Sequence, residues 1–258
     1  TDSHYDYMMS LLDFPGYILL EKPAVNTAEQ IEVLTKLPDH IKSRTRINFN
    51  FKFHKINSIL EDLVQKRTLG DIFALDIHTA HGVAFKSEWQ GAWRIKSASA
   101  LGPVETTGIH FVQLVQRLFG NPVNAHLGLL ALSNDHQYND TGVLDLNMDT
   151  GVWVRIRHSY AAPYRVNIEV HGTNGYFVYD GENARIYGPR DTFDKEGRFA
   201  KPPLIHKWKV NYLTEWRLSL VKSQNFFLDA VRNKIVFQPN EFDRDVEVMK
   251  TLINALKL

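Results

Sequence analysis

The stretch 16–30, GYILLEKPAVNTAEQ, decides how this chain is read. An apolar, strand-like run, Tyr17-Ile18-Leu19-Leu20, stops at Glu21-Lys22-Pro23, and a helical pattern follows. Asn26 or Thr27 can cap that helix, with Glu29 in its first turn and Ile31, Val33, Leu34 and Leu37 inside. Residues 46–51, RINFNF, then alternate as a strand. Strand, helix and strand at this spacing predict the tail of a parallel α/β unit with right-handed crossovers. In such sheets ligands bind beyond the carboxyl ends of the strands, where Glu21, Lys22 and Pro23 stand. Proline cannot continue a ladder, and a cis Lys22–Pro23 bond would aim the lysine away from the sheet. A lysine on this rim can hydrogen-bond a substrate oxygen and stabilise negative charge growing there. The plainer alternative is a solvated strand-end lysine beside a helix-starting proline.

Working outward, residues 4–13 carry Tyr5, Met8, Met9, Leu11 and Leu12 at helical spacing, and Phe14-Pro15-Gly16 breaks the pattern. Downstream, 55–66 reads as an amphipathic helix, Leu69-Gly70-Asp71 as a turn and 72–79 as a strand. Residues 83–101 are an irregular loop, and 106–119, TTGIHFVQLVQRLF, are helical, closed by Gly120-Asn121-Pro122. Strand-like segments follow at 123–132, 143–148, 152–159, 165–171, 175–179 and 183–187. Turns such as Asp149-Thr150-Gly151 and Thr173-Asn174-Gly175 separate them, so neighbours are mostly antiparallel. A Pro-, Gly- and charge-rich loop spans 189–203, and helices over about 213–233 and 240–257 finish the chain. The predicted fold is α/β followed by α+β: residues 1–50 contribute a fragment of a parallel sheet, and 51–258 an open, mainly antiparallel sheet with helices on one face. The free face is expected to serve as an interface between copies of the chain.

Composition narrows the function classes. The 258 residues are 44% hydrophobic and 23% charged, enough for a sizeable core. Thirty basic residues against 29 acidic ones leave a formal charge of +1, which offers no field for nucleic acid or an anionic membrane. There is no cysteine, so disulfides, thiolate metal sites and a cysteine nucleophile are excluded. No apolar run approaches the roughly 20 residues of a membrane helix, and the sequence opens on no signal-like segment. A cytoplasmic, soluble protein is the expectation.

His110 is the second candidate for chemistry. Gly108 leaves room near a helix start for a ligand or a close backbone, and an imidazole there can act as a general base near neutrality. The alternative is a core histidine. His78 and His81 have neither the helical spacing nor the adjacent carboxylate of a zinc site, so no metal is expected. Trp89, Trp93 and Arg94 stand in the long loop before His110, where they either wall a site or pack beneath the loop. Asn50 and Lys52 reach a rim position at the end of the strand 46–51, or simply finish it as polar residues.

Taken in order, LLEKPAVNTAEQIEVL, INFNFKFHKINSILEDLVQKRTLGDI, GPVETTGIHFVQLVQRLFGNPV, EVHGTNGYFVYDG and NFFLDAVRN resemble the glucose–fructose oxidoreductase, inositol dehydrogenase and rhizopine-catabolism (Gfo/Idh/MocA) family over nearly the whole chain. The resemblance implies a Rossmann-type domain for NAD or NADP, of which 1–50 would be the C-terminal remnant. It also implies an open sheet domain over 51–258 that binds a sugar or sugar derivative and makes homo-oligomers. Lys22 would hold the reacting oxygen, and His110 would be the acid/base. Thr1, Ser3, His4 and Glu21 would line the nicotinamide side together with Lys22. Asn50 and Lys52 would lie near cofactor and substrate, and Trp93 and Arg94 on the substrate side.

Two departures stand out. Thr106 and Gln113 occupy places where the family commonly has aspartates, although Glu105 is adjacent; nucleotide-linked sugars are slightly favoured as substrates on that account. No Gly-x-Gly-x-x-Gly occurs in the 258 residues, so a truncated oxidoreductase unable to grip a dinucleotide is expected. Two rivals remain open: a non-catalytic sugar-binding or dimerisation module, separable by intact mass against the reading frame, and a keto-sugar reductase, separable by reaction direction.

Overall fold

The computed structural model of the protein describes residues 3–86, 102–133, 138–190 and 192–256. Helix α1 (His4–Ser10) leads to strand β1 (Ile18–Leu20), helices α2 (Ala28–Thr35) and α3 (Asp39–Lys42), and strand β2 (Thr45–Ile47). Thr27 is the N-cap of α2: its hydroxyl accepts from Gln30 N at 3.3 Å, while Gln30 Oε1 accepts from Asn26 N at 2.8 Å. This reciprocal pairing satisfies two donors the helix start would otherwise leave open. β1 and β2 pair in parallel, Ile18 opposite Thr45 and Leu20 opposite Ile47.

The strand predicted over 46–51 ends early. After Ile47 one more backbone bond forms, Asn48 N to Leu20 O at 2.8 Å, and residues Asn50–Phe53 coil into a 3₁₀ turn. Residues 45–51 are all buried, so the apparent alternation reported no solvent face. Asn48 and Asn50 break the strand because their amides are taken by partners far along the chain, Glu21, Ser223 and Ser219.

Helix α4 (Lys55–Gln65) and strand β3 (Ile72–Ala80) follow. A π-helical turn, Val104–Gly108, then runs into helix α5 (Ile109–Phe119), so the helix predicted from 106 begins with a widened turn. Gly120 ends α5 at φ +78°, and a Cβ there would lie 2.2 Å from Asp149 Oδ1, so this position requires glycine.

The remaining strands are β4 (Pro122–Leu130), β5 (Thr141–Met148), β6 (Trp153–Ser159), β7 (Arg165–Gly172), β8 (Gly175–Tyr179), β9 (Asn183–Tyr187) and β10 (Leu204–Lys209). They form one sheet with β3, in the order β10-β9-β8-β7-β3-β6-β5-β4. Every pairing is antiparallel except β3 with β6, where Ala80 lies opposite Ser159. β10 is absent from the sequence reading because its side chains are mostly exposed and give no buried stripe. It is an edge strand, with Lys207 and Lys209 as the charges that discourage further pairing.

Burial alternates along β5, β6 and β7, so one face of the sheet packs on helices. The other face is open and carries Trp153, 67% exposed, with the ion pairs Arg155–Asp145 and Arg157–Asp76. Two helices close the chain, α6 (Tyr212–Arg232) and α7 (Pro239–Ala255). α7 packs on β4 and α5 and also on α2, α3 and β2, so the core runs without interruption from Ile18 to Ala255. No described helix is long and apolar enough to cross a membrane.

Candidate active site

Three elements converge at the carboxyl end of β1. The chain leaves that strand through Glu21 and a cis Lys22–Pro23 bond. The π-helical turn before α5 lies opposite, and Lys22 Nζ donates to the carbonyl of Thr106 within it. Widened turns of this kind recur at functional sites because they free backbone carbonyls from the helical ladder. The tips of β3 and β6 complete the wall. Tyr160 OH hydrogen-bonds Thr106 Oγ1 and lies 3.1 Å from Thr107 Oγ1. His81 stacks on the Tyr160 ring at 4.7 Å between centroids, and His158 meets the same ring edge-on at 5.2 Å.

His110 is 1% exposed in the first turn of α5. Phe49 and Trp216 meet its ring edge-on at 5.9 and 5.2 Å, and Phe51 lies at 6.2 Å. Its Nδ1 is buried with no hydrogen-bond partner among the described residues. A buried polar atom left so costs about 1–3 kcal/mol, which a purely structural position would have little reason to carry. Burial first, and the Lys22 ammonium second, hold the imidazole well below the ordinary histidine range. His110 is therefore neutral at physiological pH, with a lone pair able to take a proton. His158 resembles it: Nδ1 lies 2.6 Å from Thr79 Oγ1, Nε2 is buried and unpartnered, and burial pushes its pKa down to about 3, with lesser contributions from His81 and Lys22.

The structure brings Lys22 and His110 into one electrostatic neighbourhood. His4 Nδ1 lies 2.7 Å from the Pro23 carbonyl, against the Lys-Pro turn, and Ser3 stands exposed ahead of α1. Glu21 accepts from Asn48 Nδ2 at 2.6 Å, and Asn48 Oδ1 accepts from Ser223 at 2.8 Å, which ties the strand end to α6. Asn50 donates to Ser219 at 2.9 Å, and Lys52 meets both oxygens of Asp245 at 2.9 and 3.0 Å. Thr1, Trp89, Trp93 and Arg94 lie outside the described residues. Tyr160, His158 and Thr107 belong to the cluster although the sequence does not single them out, and His81 joins it although the sequence weighs it only as a metal ligand and rejects it. The available signal was RHSY at a strand end, which places polar aromatic side chains on a sheet rim.

Residues 59–178 match the family profile described as the GFO/IDH/MocA C-terminal domain. This segment is similar to a GFO/IDH/MocA C-terminal domain. Among curated relatives, scyllo-inositol 2-dehydrogenase (NADP(+)) IolW of Bacillus subtilis (strain 168) is 23% identical over 180 residues, 69% of this chain and 49% of its own length. Glucose-6-phosphate 3-dehydrogenase of the same organism is 24% identical over 118 residues, 45% of this chain and 33% of its own. The chain thus spans half or less of the curated relatives it matches. An oxidoreductase from Agrobacterium radiobacter, solved with NAD+, L-tartaric acid and magnesium, superposes with a TM-score of 0.75 at 13% identity. That superposition covers 99% of this chain and 75% of the other, so it establishes the fold. The matched segment supplies Thr106, Thr107, His110, Tyr160 and His81 to the site, whereas Lys22 comes from the parallel strand pair that precedes it.

Proposed function

We propose that the protein is an NAD(P)-dependent oxidoreductase acting on a sugar or polyol, with Lys22 and His110 handling the reacting oxygen and its proton. The observation that carries this reading is the pairing of an ammonium with a neutral, unpartnered imidazole at the carboxyl edge of a parallel strand pair. The residues present fit the reacting end of the cofactor: the buried Nδ1 of His110 has no partner among the described residues, as a group kept for a substrate proton would have none. A glycine-rich turn for the pyrophosphate is not among the 258 residues, so the cofactor would be held weakly, through its nicotinamide end, and turnover is to be assayed with NAD(P) in large excess. His4 and Glu21, which flank the Lys-Pro turn, would hold the nicotinamide side. When bound, the dinucleotide accepts or donates the hydride.

Lys22 would donate to the substrate oxygen and stabilise negative charge as the O–H bond loosens. Neutral His110 would take that hydroxyl proton during oxidation and return it during reduction. Tyr160, held by Thr106 and Thr107, would fix the substrate against the rim. Phe49, Phe51 and Trp216 exclude water around the imidazole, which keeps it uncharged. Self-association through the open sheet face, centred on Trp153, belongs to the same reading.

A panel of inositols and aldoses, assayed for NAD(P)H formation with wild-type protein and Lys22→Ala, tests the proposal. Cofactor-dependent turnover that Lys22→Ala removes supports it; no turnover with any member, or turnover indifferent to Lys22, counts against it.

A further inference from the structure

A second crevice lies further along α5, beyond the turn that carries His110. It encloses about 560 Å³, inside the range of small-molecule sites, between α5, α7 and the end of β2. Phe49 divides the two regions: His110 meets its ring at 5.9 Å, and the Lys52 ammonium lies 5.9 Å from the same ring. The crevice lining carries Arg46, Lys52, Arg117 and Arg244 against only two carboxylates, Glu241 and Asp245.

Those charges are not equally spoken for. Asp245 is bound by Lys52 at 2.9 Å, and Arg117 by Glu61 at 2.9 Å and Asn57 at 3.0 Å. Arg46 is 9% exposed, yet its nearest carboxylate is the half-exposed Glu241 at 3.5 Å. Its guanidinium instead stacks 4.4 Å from the Phe226 centroid, with Phe53 at 5.8 Å. The field of Asp245 also reaches Arg46, but that carboxylate is held by Lys52, so this desolvated cation shares its counter-charges and leaves room for an additional anion. Arg244, on the same wall, makes no ion pair with any described residue. The crevice also holds the opposite demand: Gln116 Oε1 is buried without a donor among the described residues, while its Nε2 donates to Asn121 Oδ1 at 3.0 Å. A ligand that fits must bring acceptor oxygens to the guanidiniums and a hydroxyl hydrogen to the amide.

We propose that this crevice binds a phosphorylated sugar or polyol, its phosphoryl group on Arg46 and Arg244 and a hydroxyl donating to Gln116 Oε1. Planar guanidiniums match the phosphoryl oxygens, and half-exposed Glu241 can turn outward when the anion enters. The site is separate from the proposed hydride-transfer centre and does not depend on it.

Calorimetric titration of the full chain with glucose 6-phosphate, glucose and inorganic phosphate tests this. Glucose 6-phosphate is expected to bind saturably, with glucose and inorganic phosphate each weaker. Arg244→Ala, which alters an exposed side chain and leaves folding intact, should weaken glucose 6-phosphate by about tenfold, the loss of one charge-assisted contact. Gln116→Ala should weaken the sugar phosphate but leave inorganic phosphate unchanged. Lys22→Ala should leave the affinity for inorganic phosphate unchanged and that for glucose 6-phosphate saturable. Absence of saturable binding, binding indifferent to Arg244→Ala, or binding lost in Lys22→Ala would overturn the proposal; the last outcome would move the ligand to the Lys22 site.

Discussion

Two buried polar side chains one turn apart on α5 are treated in opposite ways. Gln113 faces a finished network: its amide lies 3.5 Å from Asp245, and Asp245 is gripped by Lys52. His110 faces Lys22 with Nδ1 open and aromatic rings around the rest. A completed network contributes to holding α7 against the parallel strands. An incomplete one adds nothing to stability and leaves a group able to exchange a proton. One helix face therefore holds a satisfied polar group beside an unsatisfied one, and under the proposed function the unsatisfied one exchanges the proton.

The strongest way to break this contrast is to damage the finished side. Asp245→Ala strands Lys52 near a buried wall and is expected to cost about 3–5 kcal/mol, read by urea denaturation. A cost near zero would mean that the network is ornamental. On the open side, Lys22→Ala should lower turnover by about 10²–10³-fold, the loss seen when one oxyanion donor is removed, with substrate binding changed less. Steady-state kinetics separate the two parameters, and a change confined to KM would reassign Lys22 to binding.

Acid sharpens the contrast. His110 and His158 have depressed pKa values in the folded state, so the unfolded chain binds protons that the folded chain refuses. Stability is fully present above the unfolded histidine pKa of about 6.5 and is lost as pH falls through the folded value, about 3 for His158. Denaturation at stepped pH should show a decline across that window, shallower in His158→Gln. A profile flat from neutrality down to acid would contradict neutral burial. A smaller effect is expected at the helix cap: Thr27→Ala should cost about 1 kcal/mol, read from the same denaturation curves.

Much of this was legible before the structure. Lys22 was marked by a strand ending in Glu-Lys-Pro, and His110 by a glycine at a helix start. Both are local patterns. Helices α2, α4 and α5 announced themselves by apolar spacing. Tyr160 and His81 were not legible, because they meet only where β3 and β6 pair in parallel, some 80 residues apart in sequence. Lys52 with Asp245, 193 residues apart, was hidden for the same reason. Asp245 reads in sequence as one more polar residue on an amphipathic helix. Alternation over 46–51 predicts a longer strand than the one that forms, because it cannot distinguish a strand from a buried turn whose asparagines bond elsewhere.

The most direct test of the central claim is His110→Phe, measured for stability and NAD(P)-linked turnover on the same preparation. Phenylalanine fills the aromatic cage and removes the unpartnered nitrogen. Unfolding free energy is expected to stay within about 1.5 kcal/mol of wild type or rise, as volume-conserving core exchanges do. Turnover is expected to fall by about 10²–10⁴-fold, the contribution of a positioned general base. A variant that loses several kcal/mol of stability yet turns over normally per folded molecule would make His110 a core residue and contradict the account.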